Sequence, residues 1–253
     1  MLPYIHLGAL HVGSLTFYPY GLLVLAGILA GSAMLVWRAG KLGLSRPLAF
    51  RLAAVAVLCG MAGAHVLRVL FFEPSLLSRG AVVLFDLRHG GIYSFGGVAA
   101  GIAAGLCLLR LSNLGAATSW DYLDLLAFAF PFGWIFGRAG CAIAHDHLGI
   151  RAYNWLSVNF PGGPRYDLGL LEFLFTLPVI GWFLWLDRRP RPAGFYLGAG
   201  LLIAGVFRIC LDSLHEPGVP RFILTPDQAW GLVSALAGAL ILAKAYSRQT
   251  HGE

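Results

Sequence analysis

Residues 123–149 read LDLLAFAFPFGWIFGRAGCAIAHDHLG, and the fold follows from how that stretch begins and how it ends. It begins as an apolar run in which Asp124 is the only charge before Arg138. A run this long and continuous predicts a membrane-crossing helix, because a span needs about 20 mostly apolar residues. It ends in a guanidinium, a thiol, two imidazoles and a carboxylate, from Arg138, Cys141, His145, His147 and Asp146. Ionisable groups are costly at membrane depth and mark functional sites there.

Six further segments meet the same test, at roughly 18–37, 51–72, 92–111, 168–186, 194–213 and 227–246. The whole chain agrees with them: 58% of it is hydrophobic and only 12% charged, with a mean hydropathy of +0.74. That lies outside the range of soluble domains. The expectation is one all-α, polytopic integral-membrane domain over residues 1–253, with about seven transmembrane helices, an N-terminal interfacial segment and outer loops. The apolar runs are continuous rather than alternating, which argues against a barrel.

The net charge of +6 does not point to nucleic acid, because the basic residues are scattered among loops. Their placement predicts topology instead. Arg38, Lys41 and Arg46 follow the first span, Arg188, Arg189 and Arg191 the fifth, and Lys244 and Arg248 the seventh. With these clusters inside, the N-terminus is outside and the C-terminus cytoplasmic. Residues 1–13 carry no basic n-region, so no cleaved signal peptide is expected. Cys59, Cys107, Cys141 and Cys210 do not pair by spacing, and three of them read as small core residues.

Between spans, residues 4–20 mix aromatics with His6 and His11 and read as a segment at the outer interface. Paired glycines, Gly90-Gly91 and Gly96-Gly97, bracket the head of the third span after a loop holding Asp86, Arg88 and His89. They fit a re-entrant turn beside a ligand, or small residues for helix packing. The outer loop 150–167, with its turn-rich stretch 159–164, reads as a mobile lid or substrate-reading arm.

Arg138, Cys141 and His145 recur at helical spacing on one face, and Arg208 and Asp212 stand at i, i+4. His65 and Arg68 lie at i, i+3 near the outer end of the second span. Arginine binds phosphate oxygens in a planar, bidentate way, and the phosphate available at this depth is a lipid headgroup. The competing structural reading makes Arg208–Asp212 and Arg138–Asp146 intramembrane ion pairs that fix helix packing. His145-Asp146-His147 alone is a weak metal pattern with no spaced cluster to complete it, so no metal is expected.

These residues resemble the bacterial prolipoprotein diacylglyceryl transferase family over nearly the whole chain. Gly137, Arg138, Gly140, Cys141, Asp146 and Gly149 stand in register with that family's central signature, and Asp124 matches an aspartate upstream of it. Tyr20-Gly21 resembles the start of the family's first span, and Gly96-Gly97 the close of its glycine-bracketed motif. The segment ending at Glu172, with Leu171 in place of a tyrosine, and the segment from Gly205 to Asp212, which carries Arg208, resemble two further motifs. Residues 225–228 match the opening of the last span. Two departures stand out: Phe95 replaces a histidine, and Ala144-His145 replaces the signature's Asn-Gly.

The resemblance implies transfer of a diacylglyceryl group from phosphatidylglycerol to the lipobox cysteine of a prolipoprotein, in the bacterial cytoplasmic (inner) membrane. It implies no cofactor, and no nucleic acid among the partners. Arg138 and Arg208 are cast as phosphate clamps, Asp146 and Asp212 as the groups holding them, His145 as the base and Tyr20 as a headgroup contact. Gly96, Gly97, Cys141, Gly149, Asp124 and Glu172 are carried over as substrate-binding positions. A covalently lipidated Cys141 is disfavoured, because the family also places Asn there. The alternative from another class is a non-catalytic phospholipid-binding protein on the same fold; a transporter or channel is disfavoured by the lack of a broken-helix pair.

Overall fold

The computed structural model describes residues 1–5, 7–13, 15–80, 82, 94–216 and 224–251. Seven α-helices carry it: α1 Pro19–Lys41, α2 Arg46–Phe72, α3 Ser94–Leu111, α4 Ala116–Ala144, α5 Leu168–Leu186, α6 Phe195–Asp212 and α7 Pro226–His251. Six are long and apolar enough to cross a membrane, and α3 is a shorter apolar helix over its described residues. Each of the seven expected segments therefore falls on a helix, and the protein is a polytopic, all-α membrane protein. Gly90, Gly91 and the loop with Asp86, Arg88 and His89 lie outside the described residues.

Local chemistry sets the helix ends. α1 begins at a proline and closes with Arg38 and Lys41 in its last turn, where cations complement the helix dipole. Ser45 caps α2 by accepting from the Leu48 N–H. Asp167 caps α5 by accepting from the Leu170 N–H at 3.0 Å.

Two compact units are distinguished, Met1–Met34 with Trp120–Glu253, and Leu35–Ser119. In the second unit α2 packs on α3 through small residues. A Cβ on Gly96 would lie 2.8 Å from the Gly63 carbonyl oxygen, and one on Gly97 3.1 Å from that of Gly60. Of the two readings left open for this glycine pair, helix packing is the one seen. His65 is buried in this unit, and Arg68 pairs with Glu73.

In the first unit, Phe128, Phe183, Leu186, Phe195 and Tyr196 form an aromatic-rich core cluster. α6 and α7 meet along Gly198 and Gly205 on one side and Gly231 and Gly238 on the other. A Cβ at Gly205 would stand 2.4 Å from the Gly231 oxygen, and one at Gly238 2.6 Å from the Gly198 oxygen. The two backbones are thus in direct contact, with each glycine pair seven residues apart. That is the periodicity of a coiled-coil seam.

One expectation gains detail and one is corrected. The segment 150–167, read as a mobile lid or substrate-reading arm, carries strands: β4 Leu148–Arg151, β5 Val158–Phe160 and β6 Gly163–Asp167 form an antiparallel set, and β1 Leu2–Pro3 adds to it in parallel with β5. A two-residue turn joins β5 to β6, with Gly163 at φ +104°. The roots of this sheet, Ser157, Val158 and Asp167, are buried. β2 Leu10–Val12 and β3 Leu15–Phe17 form a separate hairpin in the N-terminal segment. Second, Cys59, Cys107 and Cys210 are exposed on their helices, and only Cys141 is buried. A lipid-facing thiol costs little, since lipid tails are as apolar as a core.

Candidate active site

Arg138 on α4 and Arg208 on α6 come together on one carboxylate. Glu172 Oε2 lies 3.2 Å from Arg138 Nε and 3.7 Å from Arg208 Nη1. The other carboxylate oxygen accepts from the Trp134 indole N–H at 3.1 Å. Trp134 stands one turn before Arg138, and the Arg138 guanidinium stacks over its ring at 4.2 Å. Arg138 and Glu172 are buried; Arg208 is one-third exposed, its side chain at 34%. A buried guanidinium requires a partner, and this geometry supplies a carboxylate on one edge and an aromatic face on the other.

The pairs foreseen within single segments are not the pairs made. Arg208 donates from Nη2 to Asp227 Oδ2 at the head of α7, at 3.1 Å. Asp212 instead accepts from the Thr225 hydroxyl at 2.7 Å and is buried with it. Thr225 and Gln228 cap one another at the start of α7. Asp146 pairs with His147, Oδ1 to Nδ1 at 2.5 Å, rather than with Arg138. Arg208 finds its carboxylates on other helices rather than one turn along its own, and Asp146 finds its partner in the adjacent residue.

His145 is the largest departure from its expected role. It follows the last residue of α4 with φ +54°, a left-handed conformation that favours glycine. Its Nδ1 contacts Asp167 Oδ2 at 2.5 Å and its Nε2 the Ile5 carbonyl oxygen at 3.1 Å. Its ring stacks on Tyr4 at 4.5 Å and meets Phe160 edge-on at 5.1 Å. Both nitrogens are within hydrogen-bond reach of oxygens inside the protein, so neither is turned toward a substrate thiol. His145 pins the N-terminal segment to the sheet.

The remaining predicted positions divide. A Cβ on Gly140 would lie 2.9 Å from the Tyr20 ring, so that glycine admits Tyr20 against α4 beside Arg138 and Cys141. Arg138 Nη1 contacts the Cys141 sulfur at 3.8 Å. Gly149 permits close packing, since a Cβ there would meet the Leu214 oxygen at 2.8 Å. Asp124 is not brought to the arginines: its Oδ1 accepts from the Leu197 N–H at 2.8 Å, capping the start of α6. Eleven residues of helix, about 16 Å, separate that point from Arg208. Gly96 and Gly97 serve the α2–α3 contact described above.

Residues missed from sequence as partners are Trp134, Asp227 and Thr225, whereas His147 is named only as one of the ionisable groups that close the run. A small cleft is lined by His147, Glu172, Arg208, Asp212, His215 and Asp227, among others. His147 is held protonated to about 10, first by its hydrogen bond to Asp146 and then by contact with Cys141, against the opposing effect of burial. Burial pushes the Asp146 carboxyl up, but the hydrogen bond and charge of His147 outweigh it and leave the group below its ordinary value. One atom each from Cys141, Asp146 and His147 lies within 4.8 Å of the others. The set does not suit a metal ion, because the Arg138 guanidinium touches the thiol and a cation would be added beside it.

Comparison with known proteins finds relatives over most of the chain. The model of the prolipoprotein diacylglyceryl transferase family matches residues 8–244. The phosphatidylglycerol–prolipoprotein diacylglyceryl transferase of Mannheimia succiniciproducens is 31% identical over 198 residues, covering 74% of this chain and 72% of the relative. That of Geobacter sulfurreducens is 30% identical over 231 residues, covering 87% and 86%. That of Haemophilus influenzae is 30% identical over 198 residues, covering 74% and 72%.

Proposed function

Because this chain belongs to the prolipoprotein diacylglyceryl transferase family, we propose that it moves the diacylglyceryl group of phosphatidylglycerol onto the lipobox cysteine thiol of a prolipoprotein, releasing glycerol phosphate. The observation that carries the reading is the convergence of Arg138 and Arg208, seventy positions apart, on Glu172. Such a pair of fixed guanidiniums matches the phosphate that the reaction expels.

The substrate sulfur attacks the glycerol carbon bearing the phosphate. A carbon–sulfur bond forms, the carbon–oxygen bond breaks, and the electron pair leaves on the phosphate oxygen. Charge therefore grows on a phosphate held between two cations, where preorganised donors stabilise the transition state most. Phosphate takes the place that Glu172 now holds against Arg208, while Glu172 keeps Arg138 and Trp134 in position. The nucleophile is the thiolate, with a free value near 8.5, and cationic surroundings lower it. With His145 committed to Asp167 and Ile5, the thiol proton passes to solvent rather than to that ring. The protein lies in the cytoplasmic membrane with its N-terminus outside, which puts the arginines near the outer leaflet.

The test is a lipobox peptide in phosphatidylglycerol liposomes containing the purified protein. A mass gain of one diacylglyceryl group is expected, lost in Arg208→Ala. No gain, where another family member transfers under the same conditions, would overturn the reading in favour of a lipid-binding protein without turnover.

A further inference from the structure

We infer that His147 is a third cationic contact for the lipid phosphate, held in place by Asp146 and acting beside Arg208. This rests on the transfer reading above and assigns the headgroup cleft a residue that the sequence resemblance does not.

Three observations support it. First, His147 lines the same cleft as Arg208 and Glu172, although it lies outside the spans that carry them. Second, its Nδ1 is fixed on Asp146 Oδ1, so Nε2 is the nitrogen left to serve the cleft. Among the described residues, the ring's other hydrogen-bond partner is the Cys141 thiol, a weak acceptor that a phosphate oxygen readily displaces. Third, the cleft needs the charge. On formal charges, the single guanidinium of Arg208 faces Glu172, Asp212 and Asp227 across it. With three carboxylates lining the cleft and Arg138 already paired with Glu172, a phosphodiester gains from a further cation beside Arg208. The groups facing His147 from its own segment and from neighbouring elements are Asp146, Cys141, Arg208, Glu172, Asp212, His215 and Asp227; of these, only Arg208 brings a fixed positive charge.

A residue that stays protonated through neutral pH is a poor base and a good anion contact, and the elevated value of His147 fits the second role. The ring is 40% exposed at its side chain, so a headgroup can reach it. His147 therefore donates a hydrogen bond and a charge, and its proton stays on the ring throughout.

The experiment measures transfer kinetics against phosphatidylglycerol content in mixed phosphatidylcholine vesicles, for wild type, His147→Gln and His147→Arg. Melting temperature and elution volume in detergent report folding. The expected result is a KM for phosphatidylglycerol at least tenfold higher in His147→Gln, with kcat less affected, and recovery to within about threefold in His147→Arg, which keeps charge without imidazole geometry. A wild-type KM in His147→Gln would overturn the inference and leave the transfer reading intact. If wild type itself transfers nothing, the transfer reading fails. Retention of phosphatidylglycerol over phosphatidylcholine by the purified proteins then decides the inference: equal enrichment in wild type and His147→Gln refutes it, and loss in His147→Gln supports it.

Discussion

Replacing Glu172 by glutamine probes the centre of the site with the smallest change in shape. The carboxylate stands 3.2 Å from Arg138 and 3.7 Å from Arg208. At an effective dielectric constant of about 20, those separations correspond to attractions of about 5 and 4 kcal/mol before desolvation is subtracted. Arg208 is one-third exposed, so its share is screened to below about 1 kcal/mol. The Arg138 share is not, because both partners are buried. Removing one member of a buried pair costs about 3–5 kcal/mol. The amide keeps the Trp134 hydrogen bond, which places Glu172→Gln near the lower end, at about 3 kcal/mol. For a chain of this length that lowers the melting temperature by about 6–12 °C. Transfer falls about a hundredfold, since 1.36 kcal/mol of lost alignment is about tenfold in rate. Melting in detergent micelles and the lipobox-peptide assay read the two effects. A Glu172→Gln protein that melts and transfers like wild type would refute the claim that this carboxylate organises both guanidiniums.

Three further outcomes follow. His145→Ala strips Asp167, which is fully buried, of its imidazole partner. A loss of about 1–3 kcal/mol and faster proteolysis near the N-terminus are expected, with a smaller effect on transfer per folded molecule; limited proteolysis and melting check this. The His147–Asp146 pair makes stability depend on pH. His147 lies at about 10 when folded against 6.5 otherwise, so its contribution is complete below 6.5 and is lost as pH rises through about 10. Asp146, held below 3.8, contributes above that value and loses it as pH falls further. Both side chains are exposed by more than a third, so screening keeps the effect small. The melting difference between wild type and Asp146→Asn should be present at neutral pH and shrink toward both extremes. Asp124→Ala removes a cap from α6, costing about 1 kcal/mol while transfer per folded molecule is retained; equal losses of both would place Asp124 in the site after all.

The helices were legible because lipid imposes one rule on every span, continuous apolarity with the backbone satisfied internally. That rule finds α1 to α7, with helix ends up to seven residues from those expected, the largest difference being at the start of α4. The site was legible in its cations, because an arginine inside an apolar run has little other reason to be there. Its counter-ions were not. Spacing suggested Asp212 for Arg208 and Asp146 for Arg138, but Asp227 and Glu172 come from other helices, and helix-to-helix register cannot be read from one sequence. His145 misled for a related reason. As a residue type it reads as a base, whereas its left-handed backbone and two acceptors arise only once β6 and the N-terminal segment have docked. The sheet itself was hidden because its strands are two to five residues long, too short for alternation to register.

The glycine contact between α6 and α7 works as a gauge for the chemistry. Arg208 stands three residues beyond Gly205, and Asp227 four residues before Gly231. Where the two bare stretches of main chain interlock, the depth at which acid meets base is already decided. A single methyl at Gly205 would strike the Gly231 oxygen, slide one rod along the other, and draw Asp227 off its guanidinium. The Arg208–Asp227 pair can therefore be shifted from glycines that touch neither side chain.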